Sequence, residues 1–129
     1  MSISSSTSTV VRRRDAALLA RRYARAQCAG HTPPTLVEDV ELVVSELVTN
    51  AMRHGRGQIT MHLEVAPDRV VVGVQDQGAG HPSPREPDAT GVNGRGLALV
   101  AILATEWGVR LAPAGGKVVW CVLTPAVSG

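Results

Sequence analysis

At Gly55 the apolar residues of this 129-residue chain change their period. Upstream, Leu36, Val40, Val43, Leu47 and Ala51 recur at three- and four-residue steps, one stripe that predicts an amphipathic helix over about Leu36–His54. Downstream, Ile59, Met61, Leu63 and Val65 alternate with Gln58, Thr60, His62 and Glu64, the pattern of a half-buried strand. Helix and strand each have a single apolar face, so each needs a partner layer, and the economical solution is helices packed on a sheet. His31-Thr32-Pro33-Pro34 is a connector before this helix, Thr35 is its expected N-cap, and Glu38 three residues later completes a capping-box pattern.

The remaining segments extend that scheme. Arg14–Ala29 is dense in Ala, Leu and Arg and stops at Gly30, predicting a first helix with Leu19, Tyr23 and Ala26 inward. Pro67-Asp68-Arg69 turns the chain into Val70–Val74, an apolar run that reads as the central strand of an antiparallel hairpin and stops at Asp76. Gln77–Gly94 is rich in Gly, Pro, Asn, Asp and Ser and has no hydrophobic period, the mark of a long functional or mobile loop. A third helix is expected over Leu97–Trp107 through Leu97, Val100, Ala101, Ala104 and Thr105, closed by Gly108. A last hairpin runs Val109–Ala112, a turn at 113–116, then Lys117–Thr124. The order α, α, β, β, loop, α, β, β predicts an α+β fold, a two-layer α/β sandwich with helices on one face of a mixed, mostly antiparallel sheet. Residues 1–10 read as a flexible Ser/Thr-rich tail and 11–126 as one domain, with no internal repeat.

Composition excludes several classes. With 44% hydrophobic and 19% charged residues and no apolar run of ~18, the chain is neither disordered nor membrane-spanning. MSISSSTST has no charged segment leading into an apolar stretch, so no secretory signal is read there and a cytoplasmic location is expected. Cys28 and Cys121 lie far apart without a CxxC or neighbouring His pattern, and read as ordinary buried thiols. Residues 1–30 hold six arginines against Asp15, while the rest hold seven basic and ten acidic residues. An Arg12–Arg25 helix could meet nucleic acid, or those arginines could be its solvated face. With Tyr23, Trp107 and Trp120 the only aromatics, and none interleaved with the arginines near a Gly-rich strand, no base-stacking surface is read and no direct nucleic-acid role is expected. Neither GxGxxG nor GxxxxGK[ST] occurs, which removes Rossmann and P-loop nucleotide sites.

Three clusters carry chemistry. Glu46 and Asn50, four apart on the second helix, project from nearly the same face at the margin of its apolar stripe. Asn50 offers a carbonyl oxygen to a hard cation such as Mg2+, and Glu46 can deprotonate a nucleophile beside it; the alternative is a solvent-facing polar pair. Asp76-Gln77-Gly78-Ala79-Gly80 ends an apolar strand, where an Asp can accept from an adenine amino group and glycines admit a ligand; the alternative is a simple turn. Gly91-Val92-Asn93-Gly94-Arg95-Gly96-Leu97 opens into a helix, a phosphate cradle of backbone N–H groups or a plain connector. Their joint occurrence in this order makes one nucleotide site.

Glu46-Leu-Val-Thr-Asn50-Ala-Met-Arg-His54, Asp76-x-Gly78-x-Gly80 and Gly94-Arg-Gly96-Leu97 resemble the N, G1 and G2 boxes of the GHKL ATPases, the superfamily that includes gyrase and sensor histidine kinases. Glu46 at the head of the first box and the ending Trp107-Gly-Val109…Gly115-Gly116-Lys117-Val-Val-Trp120 are similar to the small bacterial anti-sigma factor/serine-protein kinases, over about residues 14–124. The resemblance implies ATP and Mg2+ as cofactors: Asn50 on the Mg2+, Glu46 as general base toward an acceptor hydroxyl, and Asp76 selecting adenine. Gly78 and Gly80 would shape the pocket, Gly94, Arg95, Gly96 and Leu97 would serve the phosphates, and a lid would cover about 81–93. The Thr that many relatives carry on the final strand is replaced, on this alignment, by Val118. The implied partners are a STAS-domain anti-sigma factor antagonist, phosphorylated on Ser or Thr, a sigma factor and a second copy in a homodimer. No transducer domain and no phosphoacceptor-His helix pair accompany the boxes, which separates the chain from gyrase and from sensor kinases. A non-catalytic nucleotide-binding module that regulates another protein is the alternative.

Overall fold

A computed structural model describes residues 3–78, 92–113 and 115–126, with the side chains of 92–96 outside the description. Five strands, β1 (Ser4–Val10), β2 (Ile59–Ala66), β3 (Arg69–Asp76), β4 (Glu106–Leu111) and β5 (Lys117–Leu123), and three helices, α1 (Ala16–Cys28), α2 (Pro34–His54) and α3 (Val92–Leu103), form it. The sheet order is β1-β2-β3-β5-β4 with every neighbouring pair antiparallel, so the mixed option closes in favour of a purely antiparallel sheet. The helices pack on one face, which is the expected two-layer α+β sandwich.

The core follows the two periods. From α2 it takes Leu36, Val40, Val43, Leu47 and Ala51 as expected, joined by Val44 and Val48; from the sheet it takes Ile59, Met61, Leu63, Val65, Val70, Val72, Val74, Val119, Cys121 and Leu123. On α1 the inward stripe is Ala16, Ala20, Ala24 and Cys28, with Tyr23 partly buried; Leu19 and Ala26 are exposed, against expectation. Small residues at four-residue steps let α1 lie close against α2, and that close approach outweighs the larger Leu side chain.

Four other expectations are corrected. Ser4–Val10 is not a loose tail: it forms an edge strand paired along β2 from Ser4 opposite Val65 to Val10 opposite Ile59. Thr35 does not cap α2, whose N-cap is Pro33 with no side-chain cap hydrogen bond and whose first turn holds Pro34, where a missing N–H costs nothing. The third helix ends at Leu103, because the Thr105 N–H donates to Val122 O at 2.8 Å and Trp107 pairs with Cys121 as part of β4. Ala101 and Thr105 are accordingly exposed, while Leu97 and Val100 are buried. Lastly, Arg12 stands before α1 and not on it, and although exposed it is engaged: its guanidinium donates to Gly57 O at 3.0 Å and Met52 O at 3.1 Å, and reaches Ala51 O at 3.5 Å. A cation at the C-terminus of α2 complements its last carbonyls, so this arginine works within the fold.

Burial pushes the Cys121 thiol up from 9.0 to about 12 and raises that of Cys28 as well. Both stay neutral and unreactive near pH 8. A thiol-disulfide colorimetric titration of the native protein at pH 8 is expected to show neither cysteine reacting within minutes and both reacting in denaturant. The sign of the pH effect follows: the unfolded Cys121 loses its proton near 9.0 while the folded one keeps it to about 12, so its contribution is intact below pH 9 and is lost as pH rises above it.

Candidate functional site: a buried ion pair at the end of the sheet

Alternation along two paired strands places the charges. On β3, Val70, Val72 and Val74 face the helices and Asp76 is the next residue of that row; on β5, Leu123, Cys121 and Val119 face them and Lys117 is next. The register sets Asp76 opposite Lys117, so both side chains lie on the helix side where β3 ends. They are the buried charged residues of the described chain, 2% and 6% exposed, and Lys117 Nζ lies 3.0 Å from Asp76 Oδ1. The same oxygen accepts the Gly78 N–H at 2.7 Å, with the Arg56 N–H at 3.5 Å. Charge-assisted bonds of this kind offset the cost of burying the carboxylate.

Glycines make the corner tight enough. A Cβ on Gly55, just past α2, would stand 2.6 Å from both Ala51 O and the Asp76 carboxylate; one on Gly78 would stand 2.9 Å from Asp76 Oδ1 and 3.2 Å from Lys117 Nζ. Gly116 has φ +85°, and a Cβ there would run into the Asp76 carbonyl oxygen. The Gln77 N–H donates to Arg56 O at 2.8 Å and the Gln77 Oε1 accepts the Gln58 N–H at 3.0 Å, so the segment after α2 is stitched to the segment after β3.

This stitching brings the C-terminal end of α2 to the carboxylate. Asn50 directly precedes Ala51, whose carbonyl borders the Gly55–Asp76 corner, and Glu46 stands one helical turn earlier; both are half-buried at the edge of the apolar stripe. Among the described residues neither side chain has a hydrogen-bond or ion partner. Gly94, Arg95 and Gly96 lie in the first turns of α3, which begins at Val92 and not at Leu97, and α3 packs against α2. Leu97 is buried in the core and anchors that helix. Gly80 and most of the 81–93 lid segment fall outside the described residues, and Asn93 is part of α3.

Val118 does not stand at this site. It belongs to the opposite row of β5 and faces the helix-free side of the sheet with His62, Gln75 and Trp120. The residue beside Asp76 is Lys117, to which the sequence reading gave no role. In the sequence it is the lone Lys beside twelve arginines and follows Gly115-Gly116 at the start of a strand, but neither feature connects it to Asp76; only the strand register does.

The corner suits a flat ligand bearing an amino group: a fixed carboxylate can accept from it, and the glycines let three backbone segments close in on that carboxylate. Among the described residues no cluster of three or more His, Cys, Asp or Glu could hold a metal ion. No helix among the described residues is long and apolar enough to cross a membrane. No curated protein matches the chain. The family described as the histidine kinase-like ATPase domain matches residues 10–122, a span that contains α2, the Asp76 corner and α3. A purely antiparallel sheet with helices on one face, boxes in that order and a family match over most of its length make this chain a member of the histidine kinase-like ATPase family, within the GHKL superfamily.

Proposed function

We propose that the chain binds ATP with Mg2+ and is a serine/threonine-protein kinase acting as an anti-sigma factor, with a STAS-domain antagonist as its phosphoacceptor. The observation that carries the nucleotide part is the buried, glycine-walled Asp76, whose carboxylate is fixed by the Gly78 N–H at 2.7 Å. It is an acceptor prepared for the adenine amino group. Asn50, at the neighbouring end of α2, supplies a carboxamide oxygen to Mg2+, and the start of α3 presents N–H groups toward phosphates. Glu46, one turn from Asn50, takes the proton of the acceptor hydroxyl. The bound nucleotide supplies the transferable phosphoryl group. Competition between antagonist and sigma factor for the same kinase then sets the output, because a phosphorylated antagonist releases the kinase to hold sigma.

Calorimetric titration with ATP and Mg2+ tests the pocket. Asp76→Asn replaces half of the acceptor by a donor aimed at the adenine amine, and an affinity loss of at least about tenfold is expected, the worth of a hydrogen bond to a charged group. Far-UV circular dichroism on the same samples checks the fold. A folded wild-type chain without affinity for ATP overturns the reading. Transfer from labelled ATP to a STAS-domain antagonist tests the kinase part. Binding without transfer, coupled to a changed grip on the antagonist, would establish the non-catalytic module instead.

A further inference from the structure

Helix α2 ends without the device that most often closes a helix. Gly55, its C-cap, has extended backbone (φ −85°, ψ 175°) and not the left-handed turn that folds a chain back onto the last carbonyls. Ala51 O accepts the Gly55 N–H at 2.8 Å, and a second closure comes from Arg12, 40 positions before Met52 in the sequence. Its Nη1 donates to Met52 O at 3.1 Å, its Nη2 reaches Ala51 O at 3.5 Å, and its Nε donates to Gly57 O at 3.0 Å. A guanidinium is planar and its donors keep a fixed geometry, so one side chain sets the spacing between the last turn of α2 and the segment that leaves it.

That segment runs directly to the Asp76 corner. Arg56 O accepts the Gln77 N–H at 2.8 Å, and the Arg56 N–H turns toward Asp76 Oδ1 at 3.5 Å. The Gln58 N–H donates to Gln77 Oε1 at 3.0 Å and Gln58 Nε2 to Thr9 Oγ1 at 3.3 Å, so β1 holds the same segment at another point. Asp76 has anchors of its own in Lys117 and the Gly78 N–H. Asn50 has no side-chain partner among the described residues and is placed by the helix that carries it. Where it stands relative to Asp76 therefore depends on how the end of α2 is held. We propose that Arg12 is a positioning residue for the nucleotide site: by gripping the last turn of α2 and Gly57 together, its guanidinium sets Asn50 against Asp76 and so matches the phosphate–Mg2+ end of the site to its base end. The inference rests on the nucleotide reading above and adds to it a residue outside all three boxes, between β1 and α1.

Calorimetric titrations with ATP in Mg2+ and in EDTA separate this role from general support of the fold. The ratio of the two affinities reports the Mg2+ end, and the affinity in EDTA reports the contacts made without the metal. In Arg12→Ala the ratio is expected to fall about three- to thirtyfold, the range produced by mutations within a packed coupling network, with the affinity in EDTA kept within about twofold. Arg12→Lys keeps a cation at the helix end, but one ammonium cannot hold both carbonyl groups in a plane; it is expected to restore the urea midpoint and not the ratio. Without nucleotide or metal, hydrogen exchange of the Gly55 amide is expected to quicken by about threefold or more in Arg12→Ala, with that of Gly78 unchanged. A wild-type ratio or unchanged Gly55 exchange in Arg12→Ala overturns the inference and leaves the nucleotide reading standing. Full restoration of the ratio by Lys overturns it too, since charge at the helix end would then suffice. Equal falls in both affinities, the mark of general loosening, also overturn it, as does wild-type ATP binding that ignores Mg2+. A folded wild-type chain without affinity for ATP in either buffer overturns the nucleotide reading and this inference together.

Discussion

Lys117→Met is expected to lower the unfolding free energy by about 3–5 kcal/mol, the usual cost of removing one partner from a buried ion pair. The size follows from the surroundings. Asp76 is 2% exposed and Lys117 6%, so water cannot take over the solvation that the ammonium provides. Gly55, Gly78 and Gly116 press on the carboxylate and its backbone so closely that Asp76 cannot swing out to find water without moving the end of α2 or the β4–β5 turn. Urea unfolding followed by the fluorescence of Trp107 and Trp120, one on β4 and one on β5, measures the loss. The double variant Asp76→Leu/Lys117→Met is expected to recover to within about 1 kcal/mol of the wild type, because a well-packed apolar pair avoids the desolvation of two charges. That recovery, with ATP binding abolished, would show that the pair is retained for what it binds and not for stability. A single Lys117→Met variant as stable as the wild type would mean that the carboxylate finds another counter-charge, and the site would have to be redrawn.

The same pair shows where sequence reasoning reaches and where it stops. The apolar stripe of α2, the alternation of β2 and the run of β3 are written in local patterns; the stripe and the alternation emerge with their inward residues as read, and the run emerges as a strand inside the sheet. Asp76 was legible because a charged residue ends an apolar strand just before glycines. Lys117 was not, because its meaning depends on a register between β3 and β5, strands separated along the chain by α3 and β4. Strand β1 was illegible for a different reason. Ser4–Thr9 has no apolar alternation, Val10 is its one buried residue, and it is held by a backbone ladder to β2 that any extended polar segment could form. The stripe of α1 misled because burial chose alanines that allow helices to approach, while hydropathy alone favours Leu19. At the end of α3, Trp107 continues a helical pattern in sequence but is captured by the open edge of β5, a long-range contact stronger than the local preference.

Glu46→Ala is expected to reduce phosphoryl transfer to a STAS-domain antagonist by about 10²–10⁴-fold, the range that general-base catalysis contributes. The prediction turns on what Glu46 does not touch. It stands one turn before Asn50, outside the Asp76 corner, and has no hydrogen-bond or ion partner among the described residues, so its loss leaves the base-binding contacts in place. ATP affinity is therefore expected to stay within about threefold of the wild type, and stability within about 0.5 kcal/mol, as for a surface substitution without partners. Single-turnover transfer, read on phosphate-affinity gels with saturating ATP and Mg2+, separates this from the effect of Asp76→Asn, which acts on binding and can be offset by more nucleotide. Glu46→Gln sharpens the comparison: it keeps the shape and polarity of the side chain and removes its basicity, so it should be as inactive as Ala. A Gln variant that transfers like the wild type would leave Glu46 a positioning role at most, and the proton of the acceptor hydroxyl would have to go to another group. If both variants and the wild type transfer nothing while ATP still changes how tightly the antagonist is held, the chain acts through its nucleotide-dependent conformation, and Glu46 is a polar residue on the rim of α2.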